Sequence, residues 1–74
     1  MGDREYSAVV EPLTTRELEV VRLVAAGHSN REIAATLGIQ GSTVKWNLSN
    51  LYGKLNVRSR TQAIVCARDR GLVE

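Results

Sequence analysis

Three short local signals punctuate this chain and leave it little freedom to be anything but helical. Thr14-x-x-Glu17, Ser29-x-x-Glu32 and Ser59-x-x-Gln62 each place a hydroxyl three residues ahead of a carboxylate or carboxamide. At that spacing the two side chains satisfy each other's backbone N–H groups at a helix start, forming a capping box. Leu13 and Leu18 take the staple positions around the first box. Gly27, Gly38 and Gly71 follow where helices are expected to close. The spacing predicts helix one over 14–27, helix two over 29–38 and helix four over 59–71. Only Ile39-Gln40-Gly41 separates Gly38 from the next periodic stretch, helix three, over 42–55. So short a turn permits a sharp angle between helices two and three, the helix-turn-helix arrangement. No strand pattern or internal repeat interrupts this all-α, four-helix reading.

The periodicity assigns faces. Val20, Val21, Leu23, Val24 and Ala25 cover more than one stripe of helix one, so it is expected to pack on two sides as the central support. Ile33, Ala34 and Leu37 form one stripe on helix two. In helix three, Val44, Leu48, Leu51, Tyr52 and Leu55 share an arc of about 100°, with the Tyr52 hydroxyl at the surface. Ala63, Ile64 and Ala67 face inward on helix four, with Leu72 and Val73 folding back past Gly71. Residues 1–12 lack periodicity, end at Pro12 and read as a flexible tail, leaving 13–74 as the domain.

Composition removes whole classes of function. At 74 residues there is one small domain, too small for a core and a cofactor pocket to be built from the same apolar side chains. Cys66 is the only cysteine, so no internal disulfide forms. One Cys and His28 cannot complete a structural zinc site. Without a neighbouring base Cys66 is not an activated nucleophile. No enzyme, cofactor or metal is expected. No apolar run reaches the roughly 18 residues a membrane span needs, so a cytoplasmic chain without a membrane partner is expected.

The charge is +2 overall but uneven. Residues 1–20 carry five acids against two bases, and residues 21–74 three acids against eight bases. The basic part suggests an anionic partner. The outer arc of helix three is more specific, presenting Ser42, Lys45, Trp46, Ser49, Asn50 and Gly53. Ordinary solvated faces mix Glu with Lys. A face meant for a DNA groove excludes carboxylates, which repel phosphates.

Lys45 is the first candidate for base reading, donating to guanine O6 and N7, with a phosphate contact as its alternative. Trp46 packs on a thymine methyl or sugar edge, or is partly buried against helix two or another domain. Ser49 and Asn50 reach base edges or phosphates, or are simply solvated. Thr43 bonds a phosphate at the helix start, or caps locally. Arg58 and Arg60 flank the start of helix four as candidate phosphate clamps. On helix four, Gln62, Val65, Cys66 and Asp69 face outward, and an isologous dimer contact is one reading of them.

Four motifs carry a family resemblance: Leu13-Thr14-x-Arg16-Glu17, Gly27-x-Ser29-Asn30-x-Glu32-Ile33-Ala34, Thr43-Val44-Lys45 and Asn50-Leu51-Tyr52-x-Lys54-Leu55-x-Val57. In order and spacing they resemble the LuxR-type helix-turn-helix domain of bacterial transcription regulators, over residues 13–73. Val44-Lys45-Trp46 and Asn50-Leu51-Tyr52 look most like the large ATP-dependent, maltose-regulator-like branch. The resemblance implies that helix two is a scaffold, with Asn30 and Arg31 at the DNA, and that helix three reads the major groove of double-stranded DNA. It further implies that helix four supports a homodimer on DNA or in the full-length protein, that RNA polymerase is a further partner, and that the domain is the C-terminal output of a longer regulator. Three positions depart from the pattern: Gln40 replaces a capping Ser or Thr, Asn47 a common His, and Gly53 a bulkier, often basic residue. A sigma-factor-like promoter reader and a helical protein-binding adaptor are the competing readings.

Overall fold

The computed structural model describes residues 12–73, so the tail expected over 1–12 lies outside the described residues except for the exposed Pro12. Four helices follow one another: α1 (Thr15–Ala25), α2 (Asn30–Leu37), α3 (Gly41–Leu55) and α4 (Arg60–Asp69). Helix α1 packs against all three others, α3 packs against α2 and α4, and α2 does not pack on α4. This is the central support that the wide apolar surface of α1 predicts. Val20, Val21 and Val24 of α1 are fully buried among Ile33 of α2, Val44, Leu48, Leu51 and Leu55 of α3, and Ala63 and Ala67 of α4. Truncating one such aliphatic side chain costs about 2–5 kcal/mol where it leaves a cavity, a large share of the stability of so small a domain.

The helix starts are largely as expected, with one partial failure. Thr14 Oγ1 accepts from the Glu17 N–H at 3.1 Å while Glu17 Oε1 accepts from the Thr14 N–H at 2.9 Å. Ser29 and Glu32 exchange the same pair of bonds. Ser59 accepts from the Gln62 N–H, but Gln62 Oε1 accepts from the Arg58 N–H at 2.8 Å instead of from Ser59. The third box is thus half formed, because the carboxamide reaches one residue further back, where the chain enters through an extended Ser59 (φ −143°). Helix α3 begins at Gly41, one residue before the expected Ser42, and its N-cap Gln40 makes no side-chain bond. It runs unbroken through Gly53.

The helix ends share one geometry. A left-handed residue is followed by one whose N–H reaches back five positions: His28 to Leu23, Ile39 to Ala34, Val57 to Tyr52 and Leu72 to Ala67, at 2.8–3.1 Å. Ile39, Val57 and Leu72 then pack against the core, so each closing turn is also an apolar contact. Three of the left-handed residues are the expected glycines; the fourth, ending α3, is Asn56 at φ 58°. Asparagine tolerates this conformation better than other residues with a Cβ. Asn56→Ala is expected to lower unfolding free energy by about 1 kcal/mol, the left-handed penalty for an ordinary residue, whereas Asn56→Gly stays near the wild-type value. Urea denaturation of both variants checks this; equal effects would mean that the backbone conformation is not what Asn56 supplies.

Candidate nucleic-acid interface

Helix α3 divides between core and solvent much as its periodicity predicts. Ser42, Thr43, Lys45, Trp46 and Ser49 are exposed, Asn50 is half-buried, and no acid lies on the helix. Trp46 stands 66% exposed, with its indole unburied by any described residue of this chain. The exposed strip therefore combines one ammonium, an aromatic plate and hydroxyl groups, which can donate to phosphate or base edges and pack on a methyl. Tyr52 is half-buried against the core. Asn47, in contrast, is only 7% exposed, although it is polar and not among the expected core residues.

Beside this strip lies a groove lined by Thr14 and Glu17 of the α1 start and by Trp46, Asn47, Ser49, Asn50, Gly53 and Lys54 of α3. Its floor holds an ion pair: Lys54 Nζ donates to Glu17 Oε1 at 2.8 Å, and both side chains are largely withdrawn from solvent. Lys54 also donates to the Pro12 carbonyl at 3.4 Å. Burial pushes the Glu17 carboxyl up, but the Lys54 hydrogen bond, the Thr14 N–H and the Lys54 charge together outweigh it and hold the group below its ordinary value. One carboxylate thus caps α1 and anchors α3. A local capping motif could not reveal the second role. Asn47 and Lys54, seven residues apart, do lie about 20° from each other on the flank of the apolar arc at 100° per residue, and that was the available signal.

The candidate phosphate contacts separate into two kinds. Arg31 and Arg58 are exposed. Arg60 turns inward: Nη1 donates to Asn30 Oδ1 at 2.9 Å and Nη2 to the His28 carbonyl. It thereby joins the start of α4 to the start of α2, two helices that do not otherwise pack together. Asn30 is the first residue of α2 and Ser29 its cap. On α4, Gln62, Val65 and Asp69 are exposed, with Val65 at 52%. Cys66 departs from the outward expectation: it is half-buried against the core and its thiol donates to the Leu55 carbonyl at 3.9 Å. The rotation of α4 that seats Ala63 and Ala67 brings Cys66 over the end of α3. These residues line a shallow groove with Asn56, Val57, Thr61 and Arg70.

Among the described residues no cluster of His, Cys, Asp or Glu could hold a metal ion, and no helix is long and apolar enough to cross a membrane.

Residues 11–67 match the family model of the bacterial regulatory proteins of the luxR family. The chain is 41% identical over 71 residues to the response regulator protein VraR of Staphylococcus saprophyticus, covering 96% of this chain and 34% of that protein. It thus spans about a third of the length of such curated relatives. The transcription factor GerE superposes with a TM-score of 0.78 at 35% identity, covering 84% of this chain and 92% of GerE. A ligand–DNA complex of Vibrio cholerae VqmA gives a TM-score of 0.80 at 37% identity, covering 84% of this chain and 27% of that one.

The Glu17 geometry predicts a specific acid sensitivity. Glu17→Gln removes the charge while leaving an oxygen to cap α1. Because folding depresses the carboxyl, its contribution is complete well above the ordinary value of 4.5 and is lost as pH falls through the lower folded value. The stability gap between wild type and variant is therefore expected to close on acidification, read by urea melts at successive pH values. A gap independent of pH would deny the charge any role.

Proposed function

The chain belongs to the luxR family of bacterial regulatory proteins and is a DNA-binding helix-turn-helix domain of a transcription regulator; from that premise we propose how it holds its DNA. The family is one of DNA-binding regulators, and its function is binding, not catalysis. Residues 13–74 form the binding domain, and they serve as the C-terminal output of a longer cytoplasmic regulator; the response-regulator relatives, of which the chain covers 34%, support a longer protein. Helix α3 enters the major groove of double-stranded DNA and reads sequence through Lys45, with Trp46, Ser49 and Asn50 beside it. Ser42 and Thr43 meet a phosphate at the start of α3, where no side chain caps the helix. Arg31 and Arg58 clamp phosphates, and Asn30 lies at the same edge.

One observation carries this reading: the exposed face of α3 presents Lys45 and Trp46 without a single acid. An adaptor that binds protein through Trp46 would show little salt dependence. Displacement of counterions from DNA makes the logarithm of affinity fall linearly with that of salt. A salt titration against duplex DNA separates the two.

Lys45→Ala is expected to reduce discrimination between target and scrambled duplexes by about 1–3 kcal/mol, the value of one good base contact. Arg58→Ala should weaken both duplexes alike and flatten the salt slope by about one unit. Equal losses on both duplexes for Lys45→Ala would make it a phosphate contact, and an unchanged slope would remove Arg58 from the DNA.

Two copies are proposed to meet on DNA through Gln62, Val65, Cys66 and Asp69 of α4, with RNA polymerase as a further partner of the assembled regulator. A stable interface buries about 1,200–2,000 Å², more than one short helix with a single well-exposed valine supplies. The isolated chain is therefore expected to sediment as a monomer at micromolar concentration and to pair when two half-sites raise the effective concentration. Val65→Glu should spare folding and half-site binding but lower cooperativity on a paired site. A tight dimer without DNA, or undiminished cooperativity, would refute the respective claim.

A further inference from the structure

Lys54 lies on the DNA-reading helix and would ordinarily be counted among its phosphate contacts. The geometry points to a different role: we propose that Lys54 is a positioning residue that neutralises Glu17 beneath the reading face and does not itself touch DNA. The proposal rests on the placement of α3 against DNA argued above.

Its ammonium is already committed, to Glu17 Oε1 at 2.8 Å and to the Pro12 carbonyl at 3.4 Å, and its side chain is only 21% exposed. Swinging out to a phosphate would strand a carboxylate that is 6% exposed, and an unpaired buried charge is strongly unfavourable. Glu17 is the one acid and Lys54 the one base among the residues lining the groove. Ser49, Asn50 and Gly53 belong to both that groove and the acid-free strip of α3. Ser49 and Asn50 line the same groove as the Glu17 carboxylate, and charges that share a groove interact to the extent that salt leaves them unscreened. Left uncompensated, Glu17 would repel the backbone that the strip attracts. Glu17 is nevertheless in use at this place, because its side-chain oxygen closes the capping box of α1. Lys54 therefore lets one acid cap α1 without charging the DNA surface.

The test uses the full 74-residue chain, a short mixed-sequence duplex and a salt titration by fluorescence anisotropy. Circular dichroism melts verify folding. In Glu17→Gln/Lys54→Met both charges disappear together, so no buried charge is stranded and the net charge is unchanged. Its affinity is expected to stay within about twofold of wild type, with the same salt slope, because no counterion-releasing contact is lost. In Glu17→Gln the freed ammonium adds one positive charge to the groove, and affinity at low salt should rise about threefold or more. A double variant whose slope flattens by about 0.9 would show that Lys54 binds phosphate and overturn the proposal. So would a Glu17→Gln protein that binds as wild type does, since the carboxylate would then be unfelt at the surface. A wild-type chain with no salt-dependent binding would instead sink the DNA-binding reading itself, and with it this role for Lys54. Loss confined to the double variant sinks the role alone.

Discussion

The carboxylate of Glu17 is the point through which the entrance of the chain, the central helix and the reading helix are held in one frame. It accepts from the Thr14 backbone, which fixes where α1 begins, and from Lys54, one residue before the end of α3. Helices α1 and α3 each pack on all three others. An error in the start or rotation of α1 would propagate to α2 and α4, which have no packing contact with each other. The pair is costly to bury and stabilises only because its geometry is complete: the carboxylate receives a backbone N–H as well as the ammonium. The DNA-facing strip is thus backed by a paired charge whose side chains are largely out of solvent.

Around that frame, the connections are kept short by how each helix ends. The left-handed residue reverses the chain at once, and at the ends of α2, α3 and α4 the following apolar residue is drawn onto the core, so termination and packing there are a single event. Between α2 and α3 this leaves Gly38, Ile39 and Gln40 as the whole turn. With Ile39 seated on the core, the angle between scaffold and reader has little freedom. Helix α3 differs from the others at its start, where Gln40 offers no side-chain bond, so the N–H groups of that first turn are not consumed by a side-chain cap.

What the sequence revealed was mainly local. Thr14, Ser29 and Ser59 announce their helices because a cap involves residues three positions apart, and the burial of Val44, Leu48, Leu51 and Leu55 follows from a single period. The half-formed third box shows the limit even of local rules: Gln62 has the right spacing to bond Ser59, yet the extended conformation there hands its oxygen to Arg58. The end of α3 at Leu55 is as expected, but the left-handed cap at Asn56 is not signalled, because the expectation for helix ends rests on glycine. Nonlocal polar partners were not legible at all. Period places Asn47 and Lys54 on the flank of the apolar arc, but which groups meet, Lys54 with Glu17 or Arg60 with Asn30, depends on how the helices cross. For the same reason the outer strip of α3 was legible as a candidate interface, while the buried charges that condition it were not.

Arg60 shows how such a nonlocal bond alters the meaning of a surface. As a free arginine it would add a charge to any phosphate contact. Held by Asn30 and the His28 carbonyl, it commits two of its five N–H donors to the protein and joins α4 to α2 where packing does not. Helix α4 carries the proposed pairing face and α2 the proposed phosphate edge. Their relative placement is therefore set through their common contacts with α1 and α3 and again through this guanidinium. Two copies meeting across α4 would present their α2 edges and α3 strips at a separation fixed by the fold itself. In a domain with so little apolar surface to offer a partner, a rigid link between pairing face and DNA edge matters more than pairing strength. Weak contacts suffice when the DNA brings the copies together, provided that the geometry each copy brings is already fixed.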